Sequence, residues 1–201
     1  EATTTKPKNF VPRLLQFKRE MRECIQNGAD HEEMKRIADK YGFQFAKPNK
    51  VIEENPLDYS FVSRDGINYH LYFTPISSIY PDLVNTYSFS IEREGMNPHP
   101  IDLRIGATVV HILRRFFETI ENAMIMVCDS TDGKQHKRRN LFDHWFRYYN
   151  DGTLTTINAE VGEGDYELLL SIYFRKDNPY KQQLIKAFGD LLSQNYYEIV
   201  V

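Results

Sequence analysis

The chain has 201 residues, 41% hydrophobic and 26% charged, a balance that fits a packed globular core and excludes a disordered chain. Its net charge of -3 argues against a dedicated nucleic-acid binder and against a polybasic membrane anchor. No apolar run is long enough to span a bilayer, and two cysteines are too few for a disulfide-stapled secreted domain, so Cys24 and Cys128 are expected as reduced thiols of a cytoplasmic protein.

From the N-terminus, Pro12 to Asn27 reads as a helix, with Leu14, Phe17, Met21, Cys24 and Ile25 on one face and Gly28 ending it. Asp30 caps a second helix with Glu33 as its capping-box partner; Met34, Ile37, Ala38 and Tyr41 form its stripe, and Gly42 stops it. An extended linker, Phe43–Pro56, is expected to follow. Two strands, Asp58–Ser63 and Ile67–Thr74, flank the turn Arg64-Asp65-Gly66. Asn85–Glu92 alternates as a third strand, with Tyr87, Phe89 and Ile91 on one side.

Asp102 caps a helix from Leu103 to Glu118 that is apolar over so wide an arc that it is expected to lie buried against the sheet. Ala123–Cys128 is a short apolar strand, and Lys134–Tyr149 a helix with Leu141, Phe142, Trp145 and Tyr149 facing in. Thr153–Val161 and Tyr166–Arg175 form a hairpin about Gly162-Glu163-Gly164. Asn178 caps the last helix, with Pro179 at its first position and Leu184, Ile185, Phe188, Leu191 and Leu192 as its stripe. Tyr196–Val201 has the composition of a short further strand.

This order predicts an α+β fold, a mainly antiparallel sheet with helices on one face. Charge divides the chain as well: residues 1–50 carry 11 Lys/Arg against 7 Asp/Glu, and residues 51–201 carry 14 against 21. That split suggests an N-terminal helical hairpin arm at 1–50 and an α+β domain at 51–201.

The run "DLRIGATVVHILRRFFETIENAMIMVCDSTDGKQHKRRNLFDHWFRYYN", followed by a hairpin and "RKDNP", resembles an uncharacterised bacterial family, the domain of unknown function 6169. The upstream "YSFVSRDGINYHLYF" is similar too, so the resemblance covers about residues 57–192. Its recurring marks are Phe116-Phe117 before the strand, Cys128-Asp129 after it, and a run of Arg followed by Phe142-Asp143-x-Trp145. The resemblance implies a compact bacterial domain and brings no activity, cofactor or catalytic residue with it.

One segment stands out for chemistry. Asp129, Asp132, Gly133, Lys134, Lys137 and Arg138 lie between a strand and a helix N-terminus, where outward N–H groups favour anions. This corner is either a phosphate- or carboxylate-binding site or a solvated turn in which the two Asp residues cap the helix and pair with the basic ones. It lacks the spacing of a P-loop. The order strand, buried helix, strand, helix is that of acetyltransferases, with Arg104-Ile105-Gly106-Ala107 opening the buried helix, but the glycine-rich pyrophosphate loop of those enzymes is missing.

His31, His70, His99, His111, His136 and His144 have no ligand spacing, so no metal or other cofactor is read; Glu92-x-Glu94 reads as a solvated pair. The arm could imitate a helix-turn-helix through Arg13, Lys18, Arg19, Arg22, Lys35, Arg36 and Lys40, although a hairpin packed on the sheet or on a partner fits the same residues. Three readings follow: a non-enzymatic regulatory module acting through a protein partner, which the lack of a catalytic constellation favours; an enzyme or sensor holding a nucleotide or acyl-CoA at the 129–138 corner; and nucleic-acid binding through the arm.

Overall fold

The computed structural model describes residues 10–27, 31–41, 48–95, 103–162 and 167–193. The elements are α1 (Phe10–Gln26), α2 (His31–Lys40), β1 (Val51–Asn55), β2 (Asp58–Val62), β3 (Asn68–Pro75), β4 (Thr86–Arg93), α3 (Leu103–Phe116), β5 (Ala123–Asp129), α4 (Gln135–Tyr149), β6 (Leu154–Val161), β7 (Leu168–Arg175) and α5 (Lys181–Ser193). Among the described residues seven strands make one sheet, in the order β1-β2-β3-β4-β5-β7-β6. Every neighbouring pair in it is antiparallel except β4 and β5, which run parallel. The α+β class read from the sequence is the class of the fold.

The β2–β3 hairpin forms where the turn residues put it. Ser63 donates to Ile67 O at 2.8 Å and Gly66 to Ser63 O at 3.0 Å. Gly66 holds φ +77°, a backbone conformation that side chains resist. On one sheet face, Phe61, Leu71, Phe73, Phe89 and Met124 receive Val109, Ile112 and Phe116 of α3 and Phe142 of α4.

Two expectations are corrected. The linker expected over 43–56 contains β1, whose Val51, Ile52, Glu53 and Asn55 pair with β2. Four of its five side chains are exposed, so no apolar alternation marks it; its backbone pairing alone makes it a strand. The helices also do not share one face. Leu184, Phe188 and Leu191 of α5 pack against Ile125, Leu170, Ile172 and Phe174 on the side opposite α3 and α4. The cause is visible in β7, where Leu168 to Phe174 is buried on both faces, as a strand covered from both sides must be. Over β2 to β4 that second face carries exposed Val62, His70, Thr74 and Glu92.

The α1–α2 hairpin has its own small core of Met21, Cys24 and Ala38, flanked by Phe17 and Ile37. Lys40 and the Tyr41 hydroxyl both close on the Glu20 carboxylate, Lys40 at 2.9 Å. Beyond it, Asn49 donates from its backbone and its side chain to Thr108 Oγ1 of α3, at 2.8 and 3.1 Å. Both cysteines are buried, Cys24 in this hairpin and Cys128 in β5. The caps at Gly28, Asp30, Gly42 and Asp102, His31 and His99, the side chains of Leu14, Lys18, Arg22, Ile25, Met34 and Tyr149, the turn residues 163–164, and the strand at 196–201 fall outside the described residues or side chains.

Candidate functional site where β4 and β5 part

β4 and β5 pair through three residues only: Thr86 with Ala123, Tyr87 with Met124 and Ser88 with Ile125. Past that point β4 follows β3 as far as Arg93, and β5 follows β7 as far as Asp129. The only parallel pair among the described strands therefore parts toward its C-terminal end. A crossover helix must return the chain between parallel strands, so α3 leaves from the end of β4 and α4 from the end of β5. Both strand C-termini thus lie at one end of the sheet; α4 starts past the end of β5, while the first turn of α3 meets α4 toward its C-terminal end, Gly106 against Trp145.

Aromatic rings close the inner part of the split. Phe89 of β4 stands edge-on to Phe142 of α4 with centroids 5.5 Å apart, and Phe142 lies 5.4 Å from Trp145. Trp145 rests on Gly106 of α3, so closely that a Cβ there would come within 2.4 Å of its Nε1 and 2.7 Å of its Cδ1. The missing side chain of Gly106 is what lets α3 and α4 approach. Gly106→Ala should cost about 1–2 kcal/mol net, because overpacking costs about 1–3 kcal/mol and alanine returns up to about 1 kcal/mol in helix propensity. Denaturant melts should show that loss, and in a Trp145→Ala background the same glycine substitution should add no further loss. A Gly106→Ala chain as stable as the parent contradicts the contact.

The corner 129–138 lies beside this split. Asp129 ends β5, and its side chain is outside the described ones. Gly133 turns the chain at φ +65°. Asp132 accepts the Lys134 N–H at 3.1 Å and meets Arg138 Nη1 with both oxygens, at 2.8 and 2.9 Å. Those two contacts, the guanidinium first, hold the Asp132 carboxyl below the usual carboxylate range. Deeper in α4, Arg139 reaches Glu160 of β6 at 3.0 Å, while Gln135 and His136 both contact Glu167, at 3.1 and 2.7 Å. Lys134 and Lys137 are exposed beside them. The first turn of α4 has no acidic residue of its own.

The six sequence-predicted residues are thus one loop and one helix start, brought to the split by the end of β5. What the sequence did not reveal is the split itself, which depends on where two parallel strands stop pairing. The Glu92-x-Glu94 pair is divided between partners: Glu92 accepts the Tyr72 hydroxyl at 2.7 Å and Glu94 the Asn68 side-chain amide at 2.6 Å. Among the described residues no three of His, Cys, Asp and Glu come together as metal ligands. No helix among them is long and apolar enough to cross a membrane.

Residues 101–190 match a family of unknown function (DUF6169). The resemblance read from α3 to α5 holds over that stretch, while residues 57–100 lie outside the match. No curated protein matches the chain.

Proposed function

We propose that the chain binds a phosphorylated small molecule, of the nucleotide or acyl-CoA class, at the end of the sheet where β4 and β5 part. The observation that carries this reading is the three-residue pairing of β4 with β5, after which the two parallel strands run on separately and β5 leads through the 129–134 loop into the N-terminus of α4. Lys134 and Lys137 add exposed positive charge beside the start of α4, and Gly133 lets backbone approach closely. The chain offers no glycine-rich loop between β4 and α3, so a pyrophosphate would depend on this corner instead. The rival reading, a regulatory module that acts through a protein partner, is supported by the difference in charge between residues 1–50 and 51–201.

Thermal shift with acetyl-CoA, coenzyme A, ATP and inorganic phosphate separates the two. A ligand at one hundred times its dissociation constant stabilises by about 2.7 kcal/mol, which is a readable shift. Lys137→Ala with Arg138→Ala should abolish that shift and lower the unliganded stability by less than about 1 kcal/mol, since the Asp132–Arg138 pair is exposed. No shift with any of the four ligands, or an equal shift in the double variant, contradicts the reading.

A further inference from the structure

Among the described residues no helix covers the face of the sheet opposite α3 over β2, β3 and β4, and that face has a chemistry of its own. The register sets Asp58, His70, Tyr72 and Glu92 side by side across three strands. His70 Nε2 and Asp58 Oδ1 are 2.5 Å apart, and the Tyr72 hydroxyl donates to Glu92 Oε1 at 2.7 Å. The His70 and Tyr72 rings stand 5.1 Å apart at an interplanar angle of 38°. These four side chains, with Asn55 and Leu57 at the β1–β2 turn, line a shallow depression of about 480 Å³.

The charge of the depression is one-sided. The residues that the register places on this face of β2, β3 and β4 include two carboxylates and one histidine but no lysine or arginine. Each of the two hydrogen bonds engages one oxygen of its carboxylate, and a carboxylate has about four acceptor sites. The bond to Glu92 also favours the protonated phenol of Tyr72 and raises its pKa, so this ring stays neutral and presents an electron-rich face. Two carboxylates flanking an aromatic pair, beside an aliphatic wall at Leu57, match an ammonium group on a short apolar stem.

We propose that this depression is a binding site for a small alkylammonium ligand, with Asp58 and Glu92 holding the charge and Tyr72 facing the stem. It lies on the opposite side of the sheet from the cover that α3 and α4 give the β4–β5 split, and it does not rest on the ligand proposed there. The test is an NMR titration of the full chain with butylammonium, with butanol and butyrate as controls.

Butylammonium should shift the resonances of residues 57–58, 70–73 and 92 saturably in the millimolar range, as few exposed contacts allow, and both controls should leave them unmoved. Asp58→Asn with Glu92→Gln should weaken that binding by about threefold or more. Raised ionic strength should weaken it in the parent chain too, a readout independent of how the variant folds. No saturable shift, an equal response to butanol or butyrate, or binding indifferent to salt overturns the proposal.

Discussion

Phe116→Ala should cost about 3–5 kcal/mol, the range for removing a phenyl ring from a well-packed core. Phe116 closes the last turn of α3 and is 3% exposed. Its ring lies flat on Phe73 of β3 with centroids 3.9 Å apart, and it meets Tyr87 of β4 and Phe117 edge-on at 5.3 and 5.0 Å. One ring therefore joins the helix to two strands at the point where β4 is still paired with β5. Domains are stable by only about 5–15 kcal/mol, so the loss is a large part of the total. At about 2–4 °C per kcal/mol for a chain of this size, the melting point should fall by about 10 °C. Phe116→Leu, which keeps most of the volume, should cost less than about 1.5 kcal/mol. A loss under about 1 kcal/mol for Phe116→Ala would mean that α3 is held to the sheet elsewhere.

Asn178→Ala should follow at about 2–3 kcal/mol. Its side chain is buried and does two jobs. Oδ1 accepts the Tyr180 N–H at 2.8 Å ahead of α5, and Nδ2 donates to the carbonyls of Glu121 and Asn122 at 3.1 and 3.3 Å, in the turn that leads into β5. Losing the cap costs about 1 kcal/mol, and stranding buried carbonyls adds about as much again. Asn178→Asp separates the two roles. It keeps the acceptor and loses the donors, and it sets a carboxylate against two carbonyls. At neutral pH it should destabilise at least as much as Asn178→Ala; near-parent stability for Asp would show that the cap alone matters. Chemical denaturation of the three chains reads the order directly.

Asn178 also marks how far the sequence reaches. Its capping role was legible, because Asn before Pro and an apolar stripe is a local signal. Its bonds to residues 121 and 122 were not, since they join segments about fifty-six positions apart. The same boundary recurs through the fold. The Ser63–Ile67 turn, the alternation of β4 and the buried arc of α3 are local patterns, and each gave an element in its place. β1 escaped because an exposed edge strand carries no burial pattern to read. The placement of α5 was within reach: "LLLSIYF" is too continuously apolar for a strand with one solvated side.

The candidate site divides in the same way. The corner at 129–138 was legible as a loop and helix start rich in charge, but which of its charges meet each other needed coordinates. Arg138 turns back on Asp132 and Arg139 reaches across to Glu160, leaving exposed Lys134 and Lys137 to define the basic surface. The centre of the site shifts accordingly, from a cluster of cations to the end of a parallel pair that stops pairing after Ser88 and Ile125. The Asp58–His70 and Tyr72–Glu92 contacts are register facts too: two residues apart on β3 is readable, and their partners across β2 and β4 are not.

The most direct test of the central claim is an amide-resolved NMR titration of the full chain with coenzyme A. Saturable shifts concentrated at the C-terminal ends of β4 and β5 and at residues 133–138 are the predicted result. No saturable change at millimolar ligand, or shifts confined to the α1–α2 hairpin or to the outer strands β1 and β6, would contradict it.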